Sequence, residues 1–350
     1  MIVKKLSLSN FRNHHRSVFE FSKTTIIIGH NTAGKTNILE SLYILSHGTS
    51  FRASHDVDVI EEKQQFTKIE GIIESTDDTT TLTANMAKNP QSNFLSKKYL
   101  VNGVSRTLKT FSDYFYTVLF TPQDIEIVTS SPSGRRNYIN SILIKSHKEY
   151  RMAANKYEKA LRQRNRMLHD MKRGIKEYKQ TDFDFWENLL VENGGIMHSF
   201  RKAFVEYVNA FQKEIFGMKL IYDHSVMSKE RLFKYHFEER ASGVTLIGPQ
   251  RDDFTFLFEK TNKEVKEFGS RGEQRLTILQ TKLIEIEYLK TATGELPVLL
   301  LDDIFSELDE DNIDKIYHFL DTQQTIITTT HKEFVPRKIL KQGELKTIEL

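Results

Sequence analysis

Apolar and polar positions change their period along this chain, and the changes mark its elements. Leu6-Ser7-Leu8 and Val18-Phe19-Glu20-Phe21 alternate with period two, which predicts half-buried strands. Thr24-Thr25-Ile26-Ile27-Ile28 is a short apolar run, as expected of a strand buried on both faces. Ile38, Leu39, Leu42, Tyr43 and Leu45 then recur at helical spacing and predict a helix over 36–46. Strands at 68–74 and 80–85 should pair around the polar turn Asp77-Asp78, and Asn102-Gly103 predicts a tight hairpin. Near Pro132-Ser133-Gly134 the pattern turns helical and stays so to about Phe216, with breaks around Gly174 and 180–182. Strands return at 220–222, 244–247 and 254–258. A helix over about 272–288, an apolar strand at 298–301, a helix and a strand at 325–329 follow. The two ends predict one α/β domain with a helical insert, without internal repeats.

The join between the strand at 24–28 and the helix at 36–46 carries the chemistry. Gly29-His30-Asn31-Thr32-Ala33-Gly34-Lys35-Thr36 fits G-x-x-x-x-G-K-[ST], the phosphate-binding P-loop, in the strand–loop–helix setting that the motif requires. Gly29 and Gly34 let backbone N–H groups close around phosphate oxygens at a helix N-terminus. Lys35 reaches the β- and γ-phosphates and Thr36 holds Mg²⁺, with Asn31 and Asn37 as neighbouring nucleotide contacts. Thr32 stands where such loops commonly have glycine. ATP and Mg²⁺ are therefore the expected cofactors.

A P-loop needs an acid at the end of another buried strand, and 298–301 runs into Asp302-Asp303. Asp302 would order Mg²⁺ and Asp303 could act as general base toward water. Ser306-Glu307-Leu308-Asp309 follows. About thirty residues earlier, Ser270-Arg271-Gly272-Glu273 opens a helix with a hydroxyl, a glycine and a helix N-terminus, a second anion site. This is the pattern of the ABC-type signature motif. In such heads Ser270 and Gly272 would cap the γ-phosphate held by a partner subunit, which implies an ATP-dependent homodimer.

Composition narrows the class. At 350 residues the chain can bury a large core. No apolar run approaches the ~18 residues that would cross a bilayer. The start is an amphipathic strand pattern, not a signal peptide, so no membrane partner and a cytoplasmic location are expected. With no cysteine, disulfides, thiolate metal sites and Cys nucleophiles are excluded. A net charge of +3 is too small to argue for nucleic acid, but its distribution is uneven. Between Lys145 and Lys179 twelve cations face four anions. Arg162, Arg164 and Arg166 are the DNA-backbone candidates there. The other reading of the same run is the solvated face of a helical pair.

The order of P-loop, helical insert, signature, acidic strand end and following loop resembles the SMC-like branch of the ABC ATPases, and within it the RecF family. The likeness runs almost end to end, through Leu6-Ser7-Leu8-Ser9-Asn10-Phe11-Arg12-Asn13, Gly48-Thr49-Ser50-Phe51-Arg52, Phe120-Thr121-Pro122-Gln123-Asp124 and Ser131-Pro132-Ser133-Gly134-Arg135-Arg136. Tyr157 to Arg166 resembles the arm helix. Gly248-Pro249-Gln250-Arg251-Asp252-Asp253 is close to a family hallmark, with Gln250 where His is usual.

The resemblance implies an α/β fold: an ABC-type P-loop ATPase head with a β-rich N-terminal part and an inserted helical arm domain. Residues 1–134 would form the N-terminal lobe of the head, 135–240 the arm, and 241–350 the C-terminal lobe. It implies that Gln123 or Asp124 lies near the metal and the attacking water. It places Asp309 in a loop that crosses the dimer, His331 as a possible switch histidine, and Arg12 and Arg52 as nucleotide or DNA-coupled contacts. Surface salt bridges are the other reading of these two arginines. The implied activity is slow, DNA-dependent ATP hydrolysis, since Asp303 is shorter than the Glu of transporters. The implied role is recombinational repair: an ATP-dependent dimer clamping duplex DNA at gapped or single-stranded regions, with RecR and RecO, to load the recombinase RecA. Three rivals are a RecF-like ATPase of a defence or other DNA-processing system, a non-hydrolysing DNA-binding module, and a transporter ATPase subunit. The first needs a separate effector, since no further domain is expected after Leu350. The intact Lys35, Thr36, Asp302 and Asp303 oppose the second, and the N-terminal strands oppose the third.

Overall fold

The computed structural model describes all residues except Ser54, Asp77, 90–94, Lys176, Tyr178, 305–321, Lys332, Phe334 and 336–344. In chain order the described elements begin with β1 (Ile2–Phe11), β2 (His14–Glu20), β3 (Thr24–Ile28), α1 (Lys35–His47), β4 (Phe66–Glu74), β5 (Thr79–Lys88), β6 (Leu95–Val101), β7 (Val104–Arg106), α2 (Leu108–Phe111) and β8 (Thr117–Phe120). They continue with α3 (Glu126–Thr129), α4 (Pro132–Ser146), α5 (Lys148–Lys172), α6 (Gln180–Ala210), β9 (Met218–Asp223), α7 (Lys229–Lys234) and α8 (His236–Ser242). The remainder are β10 (Asp253–Phe258), α9 (Val265–Phe268), α10 (Arg271–Thr293), β11 (Val298–Asp302), β12 (Thr325–Thr329) and β13 (Leu345–Glu349). They form two compact units: Met1–Asp124 with Lys282–Leu350, and Ile125–Thr281.

The first unit contains two sheets of different character. The antiparallel sheet has the order β2-β1-β4-β5-β6-β7. Along β4 buried and partly exposed residues alternate, as one solvated face requires. Asn102 and Gly103, at φ 49° and 78°, make the expected hairpin turn between β6 and β7. The second sheet has the order β13-β3-β12-β11-β8, and every pairing in it is parallel. Its strands β11 and β12 are buried throughout, which explains their unbroken apolar runs. Helix α1 contacts β4 and β5 of the first sheet and β8, β11 and β12 of the second. Its Ile38, Leu39, Leu42 and Leu45 therefore share one core with Leu6, Ile69, Val298 and Ile326.

The second unit holds the helical arm and the antiparallel pair β9–β10. Helices α5 and α6 pack along each other, with the break at Gly174 where the periodicity lapses. The division departs from the segments expected at 134/135 and 240/241. Residues 241–281 group with the helices because β10 pairs with β9 and because Arg135 on α4 grips Asp253 through two bonds of 2.8 and 2.9 Å. The run at 244–247 is not a strand. Side chains take its amides instead: Asn165 Oδ1 accepts from Thr245 N at 2.8 Å and Glu239 Oε1 from Leu246 N at 2.8 Å.

Within the hallmark segment Arg251-Asp252-Asp253, Asp252 is the centre of a buried structural knot. Asp252 and Arg201, each 1% exposed, form an ion pair. Asp252 also accepts from Tyr222 Oη at 2.6 Å and Ser225 N at 2.8 Å, while Arg201 donates to Pro249 O at 2.8 Å and Asn140 Oδ1 at 2.9 Å. Gln250 is held by Tyr157 Oη at 2.5 Å. Removing one partner of such a pair leaves an uncompensated buried charge. Asp252→Ala should therefore lower unfolding free energy by about 3–5 kcal/mol. Urea denaturation checks it, and a loss below about 1 kcal/mol would contradict the assignment.

Candidate nucleotide-binding site

Parallel pairing gathers the first unit's chemistry at one edge. Ile28 pairs with Thr329, Thr328 with Asp302, and Leu301 with Phe120, so β3, β12, β11 and β8 all end on the same side. In open α/β sheets ligands bind beyond the carboxyl ends of the strands. There the P-loop follows β3, Asp302-Asp303 closes β11, and Gln123 lies in a short 3₁₀ turn after β8.

The P-loop is locally shaped. Thr32 and Gly34 have φ of 74° and 105°. A Cβ at Gly34 would lie 2.7 Å from both Asn13 Oδ1 and His14 Nε2, so only glycine fits. Asn13 Nδ2 donates to Ala33 O at 3.2 Å, His14 Nε2 lies 3.2 Å from Gly34 O, and Asn37 Nδ2 donates to Asn13 Oδ1 at 2.6 Å. Lys35 is buried, and its Nζ donates to Gly29 O at 2.7 Å and His30 O at 3.0 Å. Burial draws its pKa below the ordinary lysine value, against the pull of the Asp303 and Asp302 carboxylates.

Thr36 and Asp302, 266 residues apart in sequence, meet directly. Thr36 Oγ1 donates to Asp302 Oδ1 and Oδ2 at 2.9 and 3.1 Å, and Thr328 Oγ1 donates to Asp302 Oδ1 at 2.6 Å. A hydroxyl and a carboxylate are hard oxygen donors of the kind Mg²⁺ prefers when phosphates complete its shell. The glycine cradle, the enclosed ammonium and this oxygen pair fit a nucleoside triphosphate with Mg²⁺. Asp303 has φ 50°, and its amide bonds Thr328 O at 3.2 Å and Oγ1 at 3.1 Å. A non-glycine residue in that conformation is a local strain of the kind found at functional sites.

Known proteins match this chain over nearly its whole length. The model of the RecF/RecN/SMC N terminal domain matches residues 2–343. The DNA replication and repair protein RecF of Exiguobacterium sp. is 33% identical over 99% of both chains. That of Lachnoclostridium phytofermentans is 33% identical over 100% of this chain and 98% of its own. The chain belongs to the RecF family. A solved structure of the recombination mediator protein RecF with ATP in the RecFOR pathway superimposes with a TM-score of 0.86 at 29% identity, covering 95% of this chain and 93% of that one. An Smc head domain from Pyrococcus yayanosii, 16% identical with a TM-score of 0.51, shares the fold. The RecF family is one of ABC-type ATPases, and that solved RecF structure is a complex with ATP.

The remaining candidates take varied places in this RecF-family chain. Arg12 and Arg52 both point to Glu40, which is fully buried on α1. Arg12 grips it through two bonds of 2.9 and 2.6 Å, Arg52 through one of 3.1 Å, and Ser50 Oγ adds a third donor at 2.5 Å. Burial alone would raise the Glu40 pKa, but Arg12, Ser50 and Arg52 hold the carboxyl below its ordinary value. Arg52 also donates to Asn37 Oδ1, which links this network to the P-loop helix. Asp124 accepts from Thr121 N at 2.7 Å, and burial pushes its pKa up.

Ser270 and Gly272 lie in the second unit, exposed at the start of α10. Ser270 Oγ lies 3.3 Å from Glu273 N, and Glu273 Oε2 accepts from Ser270 N and Oγ at 2.8 Å, a reciprocal capping box. Buried Gln274 fixes the preceding loop by donating to Lys266 O and Gly269 O, both at 3.2 Å. Thr329 Oγ1 donates to His331 O at 3.2 Å, and the His331 side chain is exposed. Asp309 lies outside the described residues.

Of the arm arginines, Arg162 and Arg166 are exposed. Arg164 is 2% exposed and leaves the DNA-contacting set. Its guanidinium pairs with Glu187 at 2.9 Å and Glu239 at 2.7 Å and donates to Thr245 Oγ1 at 2.9 Å. Asn13, His14, Glu40, Ser50 and Thr328 had no role assigned from sequence. Their contacts join residues that are not neighbours in sequence, and of the five only Asn13 and Ser50 fall within the family-like strings quoted above.

Proposed function

We propose that the chain is an ATP-dependent DNA-binding protein of recombinational repair and replication. Two copies join on ATP, close around DNA at single-strand gaps, and reset through slow, DNA-stimulated hydrolysis. The meeting of Thr36 and Asp302 at 2.9 Å carries this reading, because it is the metal half of an ATPase site assembled from opposite ends of the chain. Full-length likeness to RecF proteins of the RecFOR pathway supplies the biological setting, with RecO and RecR as partners in loading RecA. Lys35 would hold the phosphates, Thr36 and Asp302 would hold Mg²⁺, Gln123 would act near the metal and the water, and Asp303 would take the water's proton. Mg²⁺ supplies charge neutralisation on the phosphate oxygens. No helix among the described residues is long and apolar enough to cross a membrane.

In this reading the exposed Ser270 and Gly272 face the nucleotide of the second copy. Ser270→Arg should leave ATP binding to the monomer intact but prevent ATP-dependent doubling of mass. The side chain is exposed, and the lost cap costs only about 1 kcal/mol, so folding survives. Persistent ATP-dependent dimers in light scattering would sink the trans role.

The arm offers the phosphate-contacting surface. Lys156, Lys159, Arg162, Arg166 and Arg173 recur at helical spacing and are exposed. Replacing Lys159, Arg162 and Arg166 with Glu should weaken DNA binding and flatten its salt dependence by roughly 0.9 in log–log slope per lost phosphate contact. An unchanged slope would favour a merely solvated helix face.

A further inference from the structure

Two carbonyls of the P-loop are held from outside by the turn between β1 and β2. Asn13 Nδ2 donates to Ala33 O at 3.2 Å, and His14 Nε2 lies 3.2 Å from Gly34 O. A carbonyl oxygen only accepts, so Nε2 carries the hydrogen and Nδ1 is the acceptor of a neutral ring. Ser17 Oγ, 3.3 Å from Nδ1, is placed to donate to it. Burial keeps the ring neutral by drawing its pKa below the ordinary imidazole value, against the opposing effect of the Gly34 carbonyl. The ring is buried and stands edge-on to Phe19, with centroids 5.6 Å apart at 86°.

The turn itself is anchored. Arg12, at φ 52°, donates its amide to Val59 O at 2.9 Å and its guanidinium to Asp58 O at 2.7 Å and to buried Glu40. The hold on the loop therefore comes from the antiparallel sheet, which carries none of the nucleotide motifs. A trans peptide is planar, with its C=O and N–H pointing in opposite directions. Fixing Ala33 O and Gly34 O toward Asn13 and His14 turns the Gly34 and Lys35 amides to the other side. Successive amides turned one way at a left-handed residue form a nest for an anion, and Gly34 at φ 105° is that residue. Asn37 N and Ile38 N also reach Gly34 O, at 3.0 and 3.2 Å, but both belong to the helix that the loop opens. His14 joins the same oxygen to a second sheet.

We infer that His14 is a positioning residue for the nucleotide: its Nε2–H holds the Gly34 carbonyl on the outer side of the loop, so that the Lys35 amide faces the phosphates. It acts through Gly34, from the side opposite the amides. The role rests on the ATP-site reading above and deepens it.

The test measures ATP turnover with duplex DNA present, and melting without nucleotide, for the whole chain and its His14→Phe and His14→Gln variants. Phenylalanine keeps a ring beside Phe19 but donates nothing, whereas the glutamine amide nitrogen takes the place of Nε2. His14→Phe should raise KM for ATP about fivefold or more with kcat within about twofold, because the loop amides act alike on bound and reacting ATP. His14→Gln should return KM to within about twofold of wild type. A merely structural residue would instead lower the folded fraction, and with it the apparent kcat, at unchanged KM. That result overturns the inference, and so does an equal rise in KM for both variants. Should the phenyl variant not fold, the ring-nitrogen NMR resonances of His14 in the wild-type chain decide. The account requires the Nε2–H tautomer, and the Nδ1–H tautomer overturns it. A wild-type chain that binds no ATP refutes the ATP-site reading itself. One that binds ATP while His14→Phe leaves KM unchanged refutes the role of His14 alone.

Discussion

Asp303→Asn is expected to bind ATP normally, to dimerise on it, and to hydrolyse it about 10²–10⁴-fold more slowly. Asp303 follows the buried strand β11 at the edge where the P-loop also lies, with its backbone at φ 50°. Asparagine has nearly the same shape and tolerates that conformation, so the amide can keep its bonds to Thr328. What is lost is a carboxylate able to accept a proton from water. Binding and turnover are thereby separated, which a bulkier substitution would not allow. Phosphate release measured beside ATP affinity checks it, and turnover within about threefold of wild type would remove Asp303 from the base role.

Lys35→Met should weaken ATP binding by about 100-fold or more, while the nucleotide-free chain stays folded. The Lys35 ammonium is buried, bonded to Gly29 O and His30 O, and lies close enough to Asp302 and Asp303 to feel both. A methionine fills similar volume without the cost of desolvating a charge. Without the ammonium, the phosphate oxygens would face the Asp302 and Asp303 carboxylates with one positive charge fewer to offset the repulsion. Calorimetric titration with ATP, beside a melting curve without nucleotide, separates lost binding from lost folding. Tight ATP binding by the folded variant would contradict the P-loop assignment.

The parts of this site that were legible in the sequence are those with local causes. A P-loop is eight consecutive residues, and the buried strands before it and before Asp302 are apolar on both faces because the sheet is covered on both. What stayed hidden depends on distant partners. Glu40 gives no local hint that Arg12 and Arg52 converge on it. Arg164 is the more instructive case. Tyr157, Ala160, Arg164 and Leu168 follow one helical stripe, and all four are buried. Periodicity therefore placed Arg164 inside, but its charge suggested the surface, because Glu187 and Glu239 arrive from other helices. The run at 244–247 erred in the opposite direction: its apolar pattern suited a strand, yet Asn165 and Glu239 satisfy its amides without one.

The measurement that bears most directly on the central claim is the solution mass of the Asp303→Asn chain without nucleotide, with ATP, and with ATP and gapped duplex DNA. The account predicts that ATP doubles the mass and that only the doubled species takes up the DNA. An ATP-bound monomer that ignores DNA would contradict it.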